Sequence, residues 1–211
     1  MSLLVGAIGF PACGGSSSPS SPSQPSGPPV GSFTISPTGP ALVSATVVSF
    51  AATASDPAGM ALTYTWNFGD GQQGFTGQNV THVFETAGVF PVVLTIRNAA
   101  GGTATANGSV TAKSVTGSWV DLDPHVRFEF TQSGKAFAGK RFGDPSRGFI
   151  EEGSVAGSVA DPRNVTFEIS FDPNPCGYAG SVSTDLNMIA VTRTKSGPFC
   201  AQTSYTITRQ Q

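Results

Sequence analysis

The 26 glycines and 16 prolines of this 211-residue chain are too dense for long helices. An interior Gly costs a helix roughly 1 kcal/mol and an interior Pro about 3. Between these breakers lie short runs in which apolar and polar residues alternate. Val48, Phe50, Ala52 and Ala54 share one face at period two. So do Leu62, Tyr64, Trp66 and Phe68, and then Phe90, Val92, Leu94 and Ile96. Such alternation marks strands with one buried face, and several at short spacing indicate an all-β chain. Pro91 falls on the outward side of its run, where a missing N–H does least harm. With 38% hydrophobic residues the chain can bury a core, and its length suits one large or two small domains.

Charge is distributed unevenly, with none before Asp56. Leu3 to Ala12 is an apolar run too short for a bilayer, which takes about 20 residues, but suited to the core of an export signal. A Ser/Pro/Gly stretch follows; it buries too little apolar surface to order itself and reads as a solvated tether. Phe10-Pro11-Ala12-Cys13 resembles the cleavage box of bacterial lipoproteins, although Phe10 stands where Leu is usual and no basic residue precedes the run. The resemblance implies a signal segment at 1–12, a lipid on Cys13 and a tether over 13–31. It also implies a bacterial cell-envelope location, exposed to periplasm or exterior. An ordinary export signal, or an apolar start with Cys13 as a free thiol, is the alternative. Three cysteines in an exported chain leave one over. If Cys13 carries lipid, Cys176 and Cys200 remain to form a disulfide, which oxidising compartments favour.

Residues 32–113 contain Trp66-Asn67-Phe68-Gly69-Asp70-Gly71, then Thr81-His82-Val83-Phe84, then Gly88 through Ile96 with Asn98 and Gly101. These phrases resemble the PKD domain, an immunoglobulin-like β-sandwich of many bacterial surface proteins. The resemblance implies structural roles for Trp66, Phe68, Gly69, Asp70, Gly71, His82, Gly88 and Asn98. Trp66 and the alternating aromatics belong to the core, Gly69 and Gly71 permit the turn, and the Asp70 carboxylate accepts turn N–H groups. His82 is expected to be a hydrogen-bonded structural histidine. Gly69-x-Gly71-x-x-Gly74 also spells a dinucleotide fingerprint, but no helix pattern follows it. Asp56 and Asp70 supply only two carboxylates, whereas calcium takes six to eight oxygens. No metal or cofactor is expected.

Beyond a joint at Lys113-Ser-Val-Thr116, residues 117–211 start a new alternating pattern. Val126, Phe128 and Phe130 alternate, as do Val155, Gly157 and Val159, and then Val165, Phe167, Ile169 and Phe171. Tyr178, Gly180 and Val182 follow, then Met188, Ala190 and Thr192, and last Tyr205, Ile207 and Arg209. About eight short strands suggest an antiparallel meander. Gly139, Gly157 and Gly180 fall within strands, where a small closing barrel bends sharply. Phe130-Thr-Gln-Ser-Gly134, Gly180 through Met188 and Tyr205-Thr-Ile-Thr-Arg209 resemble small lipocalin-like barrels of exported bacterial proteins. A second open sandwich is the alternative. The inward set is rich in Phe and Val, which favours a packed interior. Asp121-x-Asp123-x-His125 has metal-ligand spacing, but Pro124 breaks the strand, and turn capping is the expected role. This part is expected to fold alone as a fragment from residue 117.

G-x-S-x-G and H-E-x-x-H are missing from the sequence. His82 and His125 fall in different domains, and adjacent Glu151 and Glu152 point to opposite faces of any strand. The expected protein is not an enzyme. A formal net charge of −2 argues against nucleic-acid partners and leaves membrane contact to the lipid. The PKD resemblance implies a module or spacer contacting an envelope protein or polysaccharide, expected as a monomer; exposed aromatics on a flat sheet would favour sugar. The alternative is a carrier of a small apolar ligand in a lumen lined by Phe128, Phe130, Phe167 and Tyr178.

Overall fold

The computed structural model describes residues 27–121, 126–143, 152–171, 174–197, 200 and 202–210. Cys13, most of the tether, Asp123, His125 and Glu151 lie outside the described residues. Among those described, the regular structure is all strand. The first eight are β1 (Val30–Ser36), β2 (Ala41–Leu42), β3 (Val48–Ser55), β4 (Leu62–Asn67), β5 (Phe75–Thr76), β6 (Asn79–His82), β7 (Gly88–Asn98) and β8 (Thr103–Lys113). They form two sheets, in the orders β1-β3-β6 and β2-β8-β7-β4-β5. This is the β-sandwich expected from the alternation, of the immunoglobulin-like kind that the PKD resemblance implies.

Phe50, Trp66, Phe68, Phe84, Val92, Leu94 and Ile96 are all buried between the sheets. The Phe50 ring lies 4.8 Å from Phe68 and 5.7 Å from Trp66. Trp66 keeps its polar end satisfied by donating Nε1–H to the Gly77 carbonyl at 2.8 Å. Pro91 sits in the middle of β7 without breaking it. The Asn98 N–H donates to the Gly102 carbonyl, so hydrogen-bonded pairs recur at alternate positions back along the β7–β8 ladder. Pro91↔Ser109 is then a non-hydrogen-bonded pair, and the proline nitrogen faces β4, whose ladder has already ended at Asn67↔Val93.

The remaining strands are β9 (Gly117–Asp121), β10 (Arg127–Ser133), β11 (Ala136–Phe142), β12 (Gly153–Ala160), β13 (Asn164–Phe171), β14 (Asn174–Val182), β15 (Met188–Lys195) and β16 (Ser204–Arg209). Each pairs antiparallel with the next, and β16 closes on β9 through Ile207↔Asp121, Thr208↔Val120 and Arg209↔Trp119. The closed eight-strand barrel settles the choice against an open sandwich. At the glycines within strands, the backbone of the neighbouring strand leaves no room for a side chain. A Cβ on Gly139 would lie 1.8 Å from the Glu129 carbonyl oxygen, and one on Gly180 would lie 1.9 Å from that of Ala190.

One strand departs from the expected face. In β15 the buried residues are Ile189 and Val191, while Met188 is 41% exposed and Ala190 and Thr192 point outward. The period-two pattern has two phases here, and the register Ile189↔Ile207 and Val191↔Tyr205 selects the one that buries branched side chains.

Cys176 and Cys200 form the expected disulfide with a Cα–Cα distance of 5.6 Å, tying the start of β14 to the segment that leads into β16. Replacing both with Ser should lower the barrel's unfolding free energy by about 2–4 kcal/mol. Denaturant melts of the wild type and double variant measure this. Two titratable thiols at 176 and 200 in unreduced, exported protein would show that the bond does not form.

The barrel core reaches beyond the barrel's own strands. Leu42, Ala45 and Val115 are buried in one continuous core with the barrel's Trp119, Phe128 and Ile207. Residues 39–47 lie across the barrel end formed by the β10–β11, β12–β13 and β14–β15 turns. There Thr46 Oγ1 donates to the Pro162 carbonyl at 3.0 Å, and the Val47 N–H donates to Asp161 Oδ1 at 3.1 Å. Gln132 bridges the joint. Its Nε2 donates to the Val43 carbonyl at 3.0 Å, and its Oε1 accepts from the Val115 N–H at 2.8 Å. Arg209 donates to the Ser114 and Thr116 carbonyls, both at 2.6 Å, and its guanidinium lies 4.4 Å over the Trp119 ring. A fragment from residue 117 would lack three core side chains, so the expectation that it folds alone is revised.

Candidate functional site

The W-N-F-G-D-G phrase ends β4 and turns the chain. Gly69 and Gly71 have φ of 71° and 87°, a left-handed region that favours glycine. At Gly69 a side chain is also excluded by space, because its Cβ would lie 2.6 Å from the Pro91 carbonyl oxygen. Gly88, by contrast, would bring its Cβ only to 3.4 Å from the Phe90 ring, an ordinary contact. Asp70 accepts the Gln72 N–H through Oδ1 at 3.1 Å, and its Oδ2 lies 2.6 Å from His82 Nε2. The two side chains are 6% and 3% exposed, and the imidazole stacks on Phe68 with centroids 4.2 Å apart. Removing either partner would strand a buried polar group, so His82 and Asp70 form a structural clasp between the turn and β6.

Asp56 and Asp70 do not converge on a shared ligand. Asp56 Oδ1 accepts the N–H groups of Ala58 and Met60, and its Oδ2 accepts Asn98 Nδ2 at 2.8 Å. The Asn98 hydrogen bond, helped by the two backbone donors, holds the Asp56 carboxyl below the usual carboxylate range. Asn98 also accepts the Gly102 N–H at 2.7 Å and donates to the Gly27 carbonyl at 3.3 Å. It clasps the β7–β8 turn to the start of the described chain. Among the described residues, no three His, Cys, Asp or Glu side chains come together as a metal cluster.

Inside the barrel, the four side chains named as a possible ligand lining pack on one another. Phe128 lies 5.7 Å from Phe130, Phe130 is 6.2 Å from Phe167, and Phe167 stacks on Tyr178 at 5.4 Å. Tyr205 adds edge contacts to Phe128 and Tyr178 at 5.2 and 5.0 Å. Rings at these separations fill the lumen with each other. Tyr178 donates to the Gln202 carbonyl at 3.2 Å, and burial, with Tyr205 beside it, pushes its hydroxyl pKa well above the ordinary value. Asp121, at the end of β9, accepts Gln202 Nε2 at 2.9 Å; Asp123 and His125 of its motif lie outside the described residues.

The surface is as informative as the core. Every Trp, Tyr and Phe among the described residues is buried or half-buried, so none stands out on a sheet as a sugar platform. Sequence reasoning missed the joint itself: Leu42, Ala45 and Gln132. Leu42 sits in a two-residue strand, Ala41–Leu42, between Pro40 and Val43, too short for periodicity to register. Gln132 reads as an ordinary turn residue.

Residues 35–113 match the PKD domain family. The crystal structure of the PKD1 domain of Vibrio anguillarum Epp is similar at 24% identity and a TM-score of 0.36, covering 43% of this chain and 99% of that one. The PKD domain of the human VPS10 domain-containing receptor SorCS2 is similar at 21% identity and a TM-score of 0.35, covering 52% of this chain and 97% of that one. A solved carbohydrate-binding module of the β-sandwich superfamily is similar at 18% identity and a TM-score of 0.39, covering 89% of this chain and 86% of that one. No curated protein matches the chain.

Proposed function

We propose that this protein is a non-catalytic, lipid-anchored arm of the bacterial cell envelope that contacts a partner protein. The joint between the domains carries this reading. A hinge would leave the barrel core closed on its own strands, whereas here Leu42, Ala45 and Val115, from outside those strands, are buried in it, and Gln132 and Arg209 hold the connecting segment. Apolar burial across the joint opposes the free relative motion that is the default for tandem domains. Gly27 is held beside Asn98 at one end of the sandwich, and the barrel leaves from Lys113 at the other. The 11 residues of β8 separate these points by roughly 35 Å, at about 3.3 Å per residue. An anchor at Cys13 would join the arm at the sandwich end opposite the barrel. The ring-filled lumen speaks against a carrier, and the sheltered aromatics speak for protein contact over sugar stacking.

In cells, Cys13→Ser should move the protein from the membrane to the soluble fraction and end fatty-acid labelling. Unchanged membrane partition would remove the anchor from this reading. The released protein should show no saturable binding to an array of envelope glycans; saturable glycan binding would overturn the preference for a protein partner.

A further inference from the structure

The unpaired edge of β8 is a surface that the arm's architecture leaves unused. β7 occupies one side of this strand along its length, whereas β2 covers the other side only at Ala112 and Lys113. By the alternation that places Pro91↔Ser109 at a non-hydrogen-bonded pair, Thr103, Thr105, Asn107 and Ser109 turn their N–H and C=O groups to the open side, where Thr111 keeps only its N–H because the parallel β2 pairing takes its carbonyl. No strand of the described residues pairs with them. Exposed edges are usually blunted by charge, proline or a bulge. From Thr103 to Thr111 this edge has no charged residue, no proline and an unbroken register.

A cleft of about 710 Å3 runs beside the same edge. Its walls include Ile35, Pro37 and Pro40 on one side and Val110 on the other, and among the described residues its one charged side chain is Lys113, whose Nζ also donates to the Asp185 carbonyl at 3.2 Å but has no carboxylate partner there. We propose that this edge and cleft bind an extended segment of a partner protein, added to β8 as a further antiparallel strand. Main-chain hydrogen bonds would hold the segment while alternate side chains enter the cleft. The cleft chemistry asks for aliphatic residues at alternate positions and an acidic residue at the N-terminal end, which an antiparallel strand brings to Lys113. A second copy of this chain fits less well. Symmetric β8–β8 pairing about Asn107 sets Ala104 opposite Val110 and Gly101 opposite Lys113, which neither fills the cleft nor neutralises the cation.

The inference rests on the protein-contact reading but is tested apart from the anchor and the glycans. The probe is an acetylated, amidated heptapeptide, EVTVTVT, titrated into the full chain with amide exchange read by NMR. Saturation should slow exchange at least tenfold at positions 105, 107 and 109, the stretch of the open edge that a seven-residue antiparallel strand covers in either register. N-methylating alternate amides of the peptide, in each of the two registers, should abolish protection in one of them. Asn107→Pro removes one edge N–H without touching the β7 ladder and should weaken binding at least tenfold. Should that variant not fold, Lys113→Glu serves instead, and should reverse the preference towards KVTVTVT. Exchange unchanged by peptide, protection elsewhere, or concentration-dependent protection of these amides without peptide would overturn the proposal. The last result would mean self-pairing.

Discussion

Gly180→Ala should disrupt the barrel by adding a single methyl group. That carbon would lie 1.9 Å from the Ala190 carbonyl oxygen and 2.7 Å from the Val191 Cα, both backbone atoms of the neighbouring strand. Overpacking against movable side chains costs about 1–3 kcal/mol. Here nothing can rotate away, and relief requires breaking the β14–β15 ladder near Gly180↔Val191. A loss of at least about 3 kcal/mol is expected, placing the variant among the severe single substitutions. Gly139→Ala, with its Cβ 1.8 Å from the Glu129 carbonyl oxygen, should behave alike. Gly88→Ala in the sandwich meets only an ordinary contact with Phe90 and should change stability by less than about 1 kcal/mol. Denaturant unfolding of the three variants measures the contrast. Wild-type stability in Gly180→Ala would mean that the strands do not lie as close as described.

Leu42→Ala should destabilise the barrel although Leu42 belongs to a strand of the sandwich. Its side chain is 1% exposed and is buried in the core containing Trp119 and Phe128. Truncating a buried leucine costs about 2–5 kcal/mol through lost burial and the cavity left behind. In a Trp66→Phe background, Trp119 fluorescence reports the barrel alone, and its transition should move to lower denaturant by an amount in that range. An unmoved transition would show that the barrel core ends at its own strands and that the joint is not rigid. The same argument gives the fragment from residue 117 a lower stability than the barrel has in the full chain.

The parts legible from sequence are those in which period-two alternation has one reading. Phe50, Trp66, Leu94 and Ile96 have polar neighbours on both sides or lie in long runs, so their burial follows from the pattern. In β15 each phase offers apolar residues, with Met188 and Ala190 against Ile189 and Val191, and local pattern does not decide between them. The cross-strand partners Ile207 and Tyr205 do. His82 and Asp70 were visible as members of a motif, but their mutual contact and burial needed the turn to fold back on β6.

Sequence alone determined the all-β class, the sandwich motif and the barrel's in-strand glycines, whereas the pairing of Cys176 with Cys200 followed from the count only with Cys13 set aside. These depend on backbone sterics and alternation, which act over a few residues. Tertiary structure decided that the lumen is filled by its own rings, that Leu42 and Ala45 belong to the barrel core, and that β8 keeps an unpaired edge. Each of these depends on which surfaces meet between strands that are distant in the chain or brought together only by the closed sheet. No local period encodes that: burial at such sites is set by the neighbour that arrives, not by the side chain that waits for it.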